Sequence, residues 1–184
     1  LLYGLTAPFA AALMERFTVR KVVMSALAAV SLGAFGTIFM NAPWQLVLLW
    51  GVVVGVGTGS MALVFAATIA SRWFLQRRGL VTGALTAAAA TGQLVFLPAL
   101  SSIAINHGWK SVSITIAVAA AAVIPLIWWG LNEDPVAIGA KPYGAPEDWQ
   151  APVKLQGNAA RNAIDALKNG AKIKDFWLLF GTFF

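Results

Sequence analysis

The residues of this chain that could do chemistry are hydrogen-bonding groups rather than nucleophiles. Gln93 sits near the middle of a long apolar run, and Thr86 lies seven residues earlier, on the same face of a helix. Thr58 and Ser60 stand in a second apolar run, and Tyr3 and Thr6 in a third. An amide or hydroxyl placed in hydrocarbon without a partner costs about 2–7 kcal/mol. Such a group therefore bonds to a facing helix or lines a watered path, where it can recognise a polar solute. For Gln93 both readings stay open.

Bond-making chemistry has little to work with. The single histidine, His107, has no acid beside it and reads as a loop residue. There is no cysteine, no metal-ligand spacing, no nucleophile motif and no phosphate-binding loop. The residues point away from an enzyme, and they imply neither a metal nor an organic cofactor.

The ionisable groups are placed to avoid the apolar runs. Only 11% of the 184 residues are charged, against 59% hydrophobic. A soluble domain carries about 25% charged residues. All 7 acids and all 13 Lys and Arg lie outside the runs. Hydrocarbon demands this, because a charge at the bilayer centre costs roughly 3 kcal/mol or more. A net charge of +6 on a soluble chain would suggest nucleic acid. Here the cations cluster in loops, so the expected partner is the lipid bilayer, not nucleic acid.

These residues need elements to position them. A spanning helix takes about 20 mainly apolar residues. The runs cover residues 1–14, 22–40, 46–70, 80–105 and 112–131. A polar segment follows over 132–174, and a further apolar stretch opens at Phe176, within the terminal segment 175–184. Only helices and closed barrels pair every backbone group inside lipid. The runs are continuous and too long for barrel strands. The fold class expected is an all-α polytopic membrane protein. The chain begins with Leu1 and stops inside an apolar run at Phe184, so it reads as the middle of a longer protein.

The loops sort by charge. Every basic residue except Lys110 falls on alternate loops. The positive-inside rule makes those loops cytoplasmic, with Trp44 and Trp109 at the outer interface and Trp73 at the inner one. This is the pattern of a multi-pass protein of a plasma membrane, the inner membrane in a bacterium. Within the polar segment, Asn158 starts a short amphipathic helix ending near Gly170.

Helices in lipid associate through small residues. Gly51, Gly55 and Gly59 recur at four-residue spacing with Gly57 between them, and Gly79, Gly83 and Ala87 repeat the device. These glycines are the expected packing ridges. Pro8, Pro98 and Pro125 are expected to kink their helices.

Two stretches resemble a known family. Ala11, Glu15, Arg16, Thr18, Val19, Arg20 and Lys21 align with the signature G-x-x-x-D-R-x-G-R-R/K of the major facilitator superfamily, a resemblance that keeps the acid–base pair and the later basic residues but neither glycine and not the arginine replaced by Val19. The run RWFLQRRGLVTGALTAAAATGQ, from Arg72 to Gln93, with Gly108-Trp109-Lys110 beyond it, is similar to the monocarboxylate-transporter and oxalate/formate-exchanger branch. The linker stretch IGAKPYGAPE and the run Phe176–Phe180 are similar to that branch as well.

The resemblance implies part of a twelve-helix bundle, from about the second helix to the start of the seventh. Residues 1–131 would belong to the N-terminal bundle and 175–184 to the C-terminal one. It implies alternating access for a small-molecule solute, a monocarboxylate-like organic anion, driven by proton symport or exchange. It also implies a cytoplasmic gate built from Glu15, Arg16, Arg20 and Lys21, joined by Arg72, Arg77 and Arg78. Gln93, Thr86, Tyr3, Thr6 and Thr58 are the substrate-binding candidates. Trp50 stands about where many proton-coupled drug exporters carry a motif arginine, which disfavours drug/proton antiport. A broad-specificity exporter and a non-transporting membrane sensor or scaffold are the alternatives.

Overall fold

The computed structural model describes residues 13–14, 16–132, 134–149, 168–173 and 177, with backbone alone at 62–64 and 137. Tyr3, Thr6 and Glu15 lie outside the described residues. So do Pro8, most of the stretch 158–170 expected to be helical and nearly all of the 175–184 stretch.

Among the described residues, four helices are long and apolar enough to cross a membrane: α1 (Val19–Phe39), α2 (Pro43–Trp73), α3 (Arg78–His107) and α4 (Trp109–Gly130). The described residues contain no β-strand beyond one isolated bridge. Each helix begins two or three residues before the hydrophobic run that announced it. Hydropathy stops at the first polar side chain, but the backbone continues until its terminal N–H groups find other acceptors. At the start of α1, Thr18 Oγ1 accepts from the Lys21 amide at 3.4 Å. At the start of α2, Pro43 occupies the first turn and Gln45 Oε1 accepts from the Asn41 and Ala42 amides at 2.7 and 3.2 Å. Gly108, at φ +78°, ends α3 and lets α4 begin at the next residue. α3 and α4 continue as α-helices through Pro98 and Pro125.

α1 is the hub. It packs most extensively on α4 and next on α2, while α3 packs mainly on α4 and α2. Its buried residues Val19, Val22, Val23, Ala26, Gly33 and Ala34 follow helical periodicity. Arg20 lies against Trp128, and Ser31 Oγ donates to the Ala117 carbonyl at 2.9 Å. These pairs run in opposite order along α1 and α4, so the two helices are antiparallel. The basic loops therefore share one end of the bundle, called the basic end below.

The close helix–helix approaches fall on Gly57 and Gly33. A Cβ at Gly57 would lie 2.9 Å from the Ala26 carbonyl oxygen and 3.0 Å from Val30 Cγ2. One at Gly33 would lie 2.7 Å from Val54 Cγ2 and 3.2 Å from the Leu49 carbonyl oxygen. The glycines expected to form the ridges behave differently. At Gly51 and Gly55 a Cβ would meet only Val47 and Trp50 of the same helix, and at Gly79 and Gly83 nothing within 4 Å. Gly59 is buried. Residues 47–54 of α2 form a π-helical segment, whose wider turn carries Gly51 out of register with the α-helical residues that follow.

The same segment carries a polar latch. Trp50 Nε1 donates to Thr37 Oγ1 at 3.0 Å, and Thr37 Oγ1 donates to the Gly33 carbonyl at 2.8 Å. Thr37 is buried, and both of its hydrogen-bonding roles are filled inside the protein. The indole thus ties α2 to α1 where lipid offers no substitute partner.

Candidate functional site

The charged and polar candidates separate into two groups. The first is the basic end. Arg72, in the last turn of α2, pairs with Asp134, just beyond α4, at 3.3 Å, and both side chains are about one-quarter exposed. This is the only ion pair among the described residues. It links the ends of two spans that are far apart in sequence.

A backbone strap reinforces that link. After the 3-10 turn Pro135–Ile138, the chain returns along the loop that follows α2. The Tyr143 amide donates to the Trp73 carbonyl at 2.7 Å, and the Leu75 amide donates to the Tyr143 carbonyl at 2.9 Å. The Phe74 and Tyr143 rings pack with centroids 6.0 Å apart. Gly144 follows at φ +80°, where a Cβ would fall 2.6–2.8 Å from the Gln76 side chain. Only glycine fits that conformation and that space.

The remaining gate candidates decorate the same end. Arg78 Nε donates to the Phe74 carbonyl at 2.6 Å, closing the loop onto the start of α3. Arg77 takes φ +58° in passing from the extended loop into α3. A left-handed non-glycine costs about 1–2 kcal/mol, so the surrounding contacts hold that turn against strain. Arg16 lies 5.6 Å from the centre of the Phe17 ring, and Arg20 lies 5.7 Å from that of Trp128. Cation–π contact of this kind contributes about 0.5–1 kcal/mol at exposed sites. Lys21 is exposed. Among the described residues, Arg16 and Arg20 therefore rest on aromatic rings rather than carboxylates.

Asp134 and Tyr143 escaped the reading of the chain. A signal for the first was present: an acid directly after the last span, on the same end as Arg72. Tyr143 gave none, because its contribution is backbone pairing.

The second group holds the hydrogen-bonding candidates. Gln93 and Thr86 are exposed on α3, a helix with no buried residue. Thr86 Oγ1 donates to the Thr82 carbonyl at 2.9 Å. Thr58, half-buried on α2, donates to the carbonyls of Val54 and Gly55 at 2.9 and 3.2 Å. Each threonine spends its proton on its own helix and keeps lone pairs to accept with. No hydrogen bond links Gln93, Thr86 and Thr58 to one another, so they do not form a closed site within these helices. The Gln93 amide is the polar group that presents both donor and acceptor to whatever covers α3.

The family model described as Major Facilitator Superfamily matches residues 1–184, the entire chain. Its match agrees with the helical, multi-pass architecture. The chain belongs to the Major Facilitator Superfamily, a family of integral membrane transporters.

Proposed function

We propose that the protein is a secondary active transporter that moves a small, monocarboxylate-like organic anion by alternating access, with proton symport or exchange as the driving reaction. The observation that carries the substrate class is the run from Arg72 to Gln93 with Gly108-Trp109-Lys110, which resembles the carboxylate-exchanging branch. The basic end is taken as the cytoplasmic face of a bacterial inner membrane. Gln93 and Thr86 then line the path from α3, where the exposed amide can hydrogen-bond a carboxylate. Uptake of labelled lactate, formate and oxalate into proteoliposomes tests this directly. Saturable uptake of one of them supports the reading; flux of a hydrophobic cation with none of these acids would replace it with efflux of apolar compounds.

Gln93→Leu is expected to lower uptake roughly tenfold with normal membrane insertion. A lost hydrogen bond to solute is worth about 1.5 kcal/mol, close to a factor of ten. Unchanged uptake by the variant would remove Gln93 from the path.

The Arg72–Asp134 pair supports a gating role for the basic end, since it fixes the ends of α2 and α4 relative to each other. Asp134→Asn is expected to reduce the transport rate several-fold. The double variant Arg72→Asp/Asp134→Arg is expected to recover most of the loss. A double variant no better than the single would show that the pair itself does not matter for transport.

A further inference from the structure

A groove of about 390 Å³ runs along α1 from the basic end, bounded by Leu13 and Phe17 on one side and by α2 on the other. Lys21, Ser25 and Ala29 form its floor, one stripe at four-residue spacing. At its inner end it meets Gly57 and Ser60, near the middle of the α2 span. From Lys21 to Ala29 the helix rises about 12 Å. That is most of the roughly 15 Å half-thickness of the hydrocarbon layer.

The two ends of the groove differ in character. Its shaft is walled by Val22, Ala26, Ala29 and Val56. The two hydroxyls that reach it are already committed: Ser25 Oγ donates to the Val22 carbonyl and Ser60 Oγ to the Val56 carbonyl, both at 2.8 Å. Its mouth is cationic. Lys21 is exposed and has no carboxylate partner among the described residues, and the Arg16 guanidinium sits over the Phe17 ring that forms the lip. Asp134, the one acid with a described ion pair, is engaged by Arg72.

We infer that this groove holds an anionic phospholipid of the basic-end leaflet, its phosphate at Lys21 and one acyl chain along the Ser25–Ala29 stripe toward Gly57. Charge and depth together select that ligand. A soluble anion has no use for an apolar shaft half a bilayer deep, and a zwitterionic lipid gains less from the cationic mouth because its own headgroup cation offsets its phosphate. Basic pockets between helices on this side of a membrane are suited to such headgroups. The inference needs only that the helices span the bilayer and stands apart from the transport reading.

The test uses the full-length protein in phosphatidylcholine nanodiscs doped with phosphatidylglycerol that carries a diazirine near the end of one acyl chain. After photolysis, label is expected in the stretches 26–29 and 56–60, at a higher yield than from a phosphatidylcholine probe of the same chain. Lys21→Gln is expected to lower that yield about fivefold, the share of one surface cation. Ser25→Phe is expected to abolish it by filling the shaft; Ser25 is exposed and bonds only its own helix, so the helices stay packed. Equal labelling by both probes, or a Lys21→Gln yield equal to that of the unaltered protein, would reduce the groove to ordinary bilayer contact. Protection by soluble lactate or oxalate would assign it to the solute path and overturn the lipid assignment.

Discussion

Gly57→Leu is expected to prevent the protein from holding its helices together. The new Cβ would stand 2.9 Å from the Ala26 carbonyl oxygen, which is backbone in the middle of α1 and cannot rotate away. Val30 Cγ2 at 3.0 Å closes the other direction. Overpacking a core costs about 1–3 kcal/mol when side chains can yield. Here two helix backbones must separate, so a loss of at least about 3 kcal/mol is expected. It would read out as poor recovery of monodisperse protein in detergent and a lowered midpoint of thermal aggregation. Gly55→Leu is the matched control. A Cβ there lies 3.5 Å from the Trp50 carbonyl of its own helix and meets no other helix within 4 Å. It should cost much less, and equal damage from the two variants would disprove the assignment of the crossing to Gly57.

Gly144→Val should release the linker from the basic end. Two penalties combine at this position. A β-branched residue is strained at φ +80°, by about 1–3 kcal/mol, and its side chain would occupy the space of Gln76. The Tyr143 and Leu75 amides now donate across the strap to Trp73 and Tyr143. Amide hydrogen exchange should show both losing protection, by roughly 10- to 100-fold for 1.4–2.8 kcal/mol. Exchange in the core of α1 should stay unchanged, because no hydrogen bond among the described residues joins α1 to the strap. Amides at 75 and 143 as slow as before would mean the strap survives without its glycine. If the strap helps to hold the gate, transport falls in the same variant; a normal rate with lost protection would separate strap from gate.

Much of the architecture was legible in the residues. Charge exclusion from five apolar runs led to helices, and alternation of basic loops placed Arg20, Arg72 and the linker on one end. The structure brings these together there, in the Arg20–Trp128 contact and the Arg72–Asp134 pair. The packing ridge was less legible. Gly51, Gly55 and Gly59 are evenly spaced, yet Gly57, which lies between them, meets the α1 backbone, while Gly51 and Gly55 meet only their own helix. The Trp50–Thr37 latch likewise depends on how the π-helical segment 47–54 presents the indole to α1.

The candidate site divides the same way. Thr86 and Thr58 looked like polar groups in need of partners, yet each hydroxyl is satisfied by a carbonyl of its own helix. Gln93 makes no such bond, and it remains exposed on α3.

The sequence by itself determined that this chain spans a membrane as helices, and which loops lie together. Both follow from transfer costs that each residue incurs alone, whatever its neighbours. Tertiary structure decided which glycine admits a second backbone, which acid answers Arg72, and that the linker pairs with the loop after α2. Those outcomes depend on the distance and rotation between two segments, and no single segment carries that information.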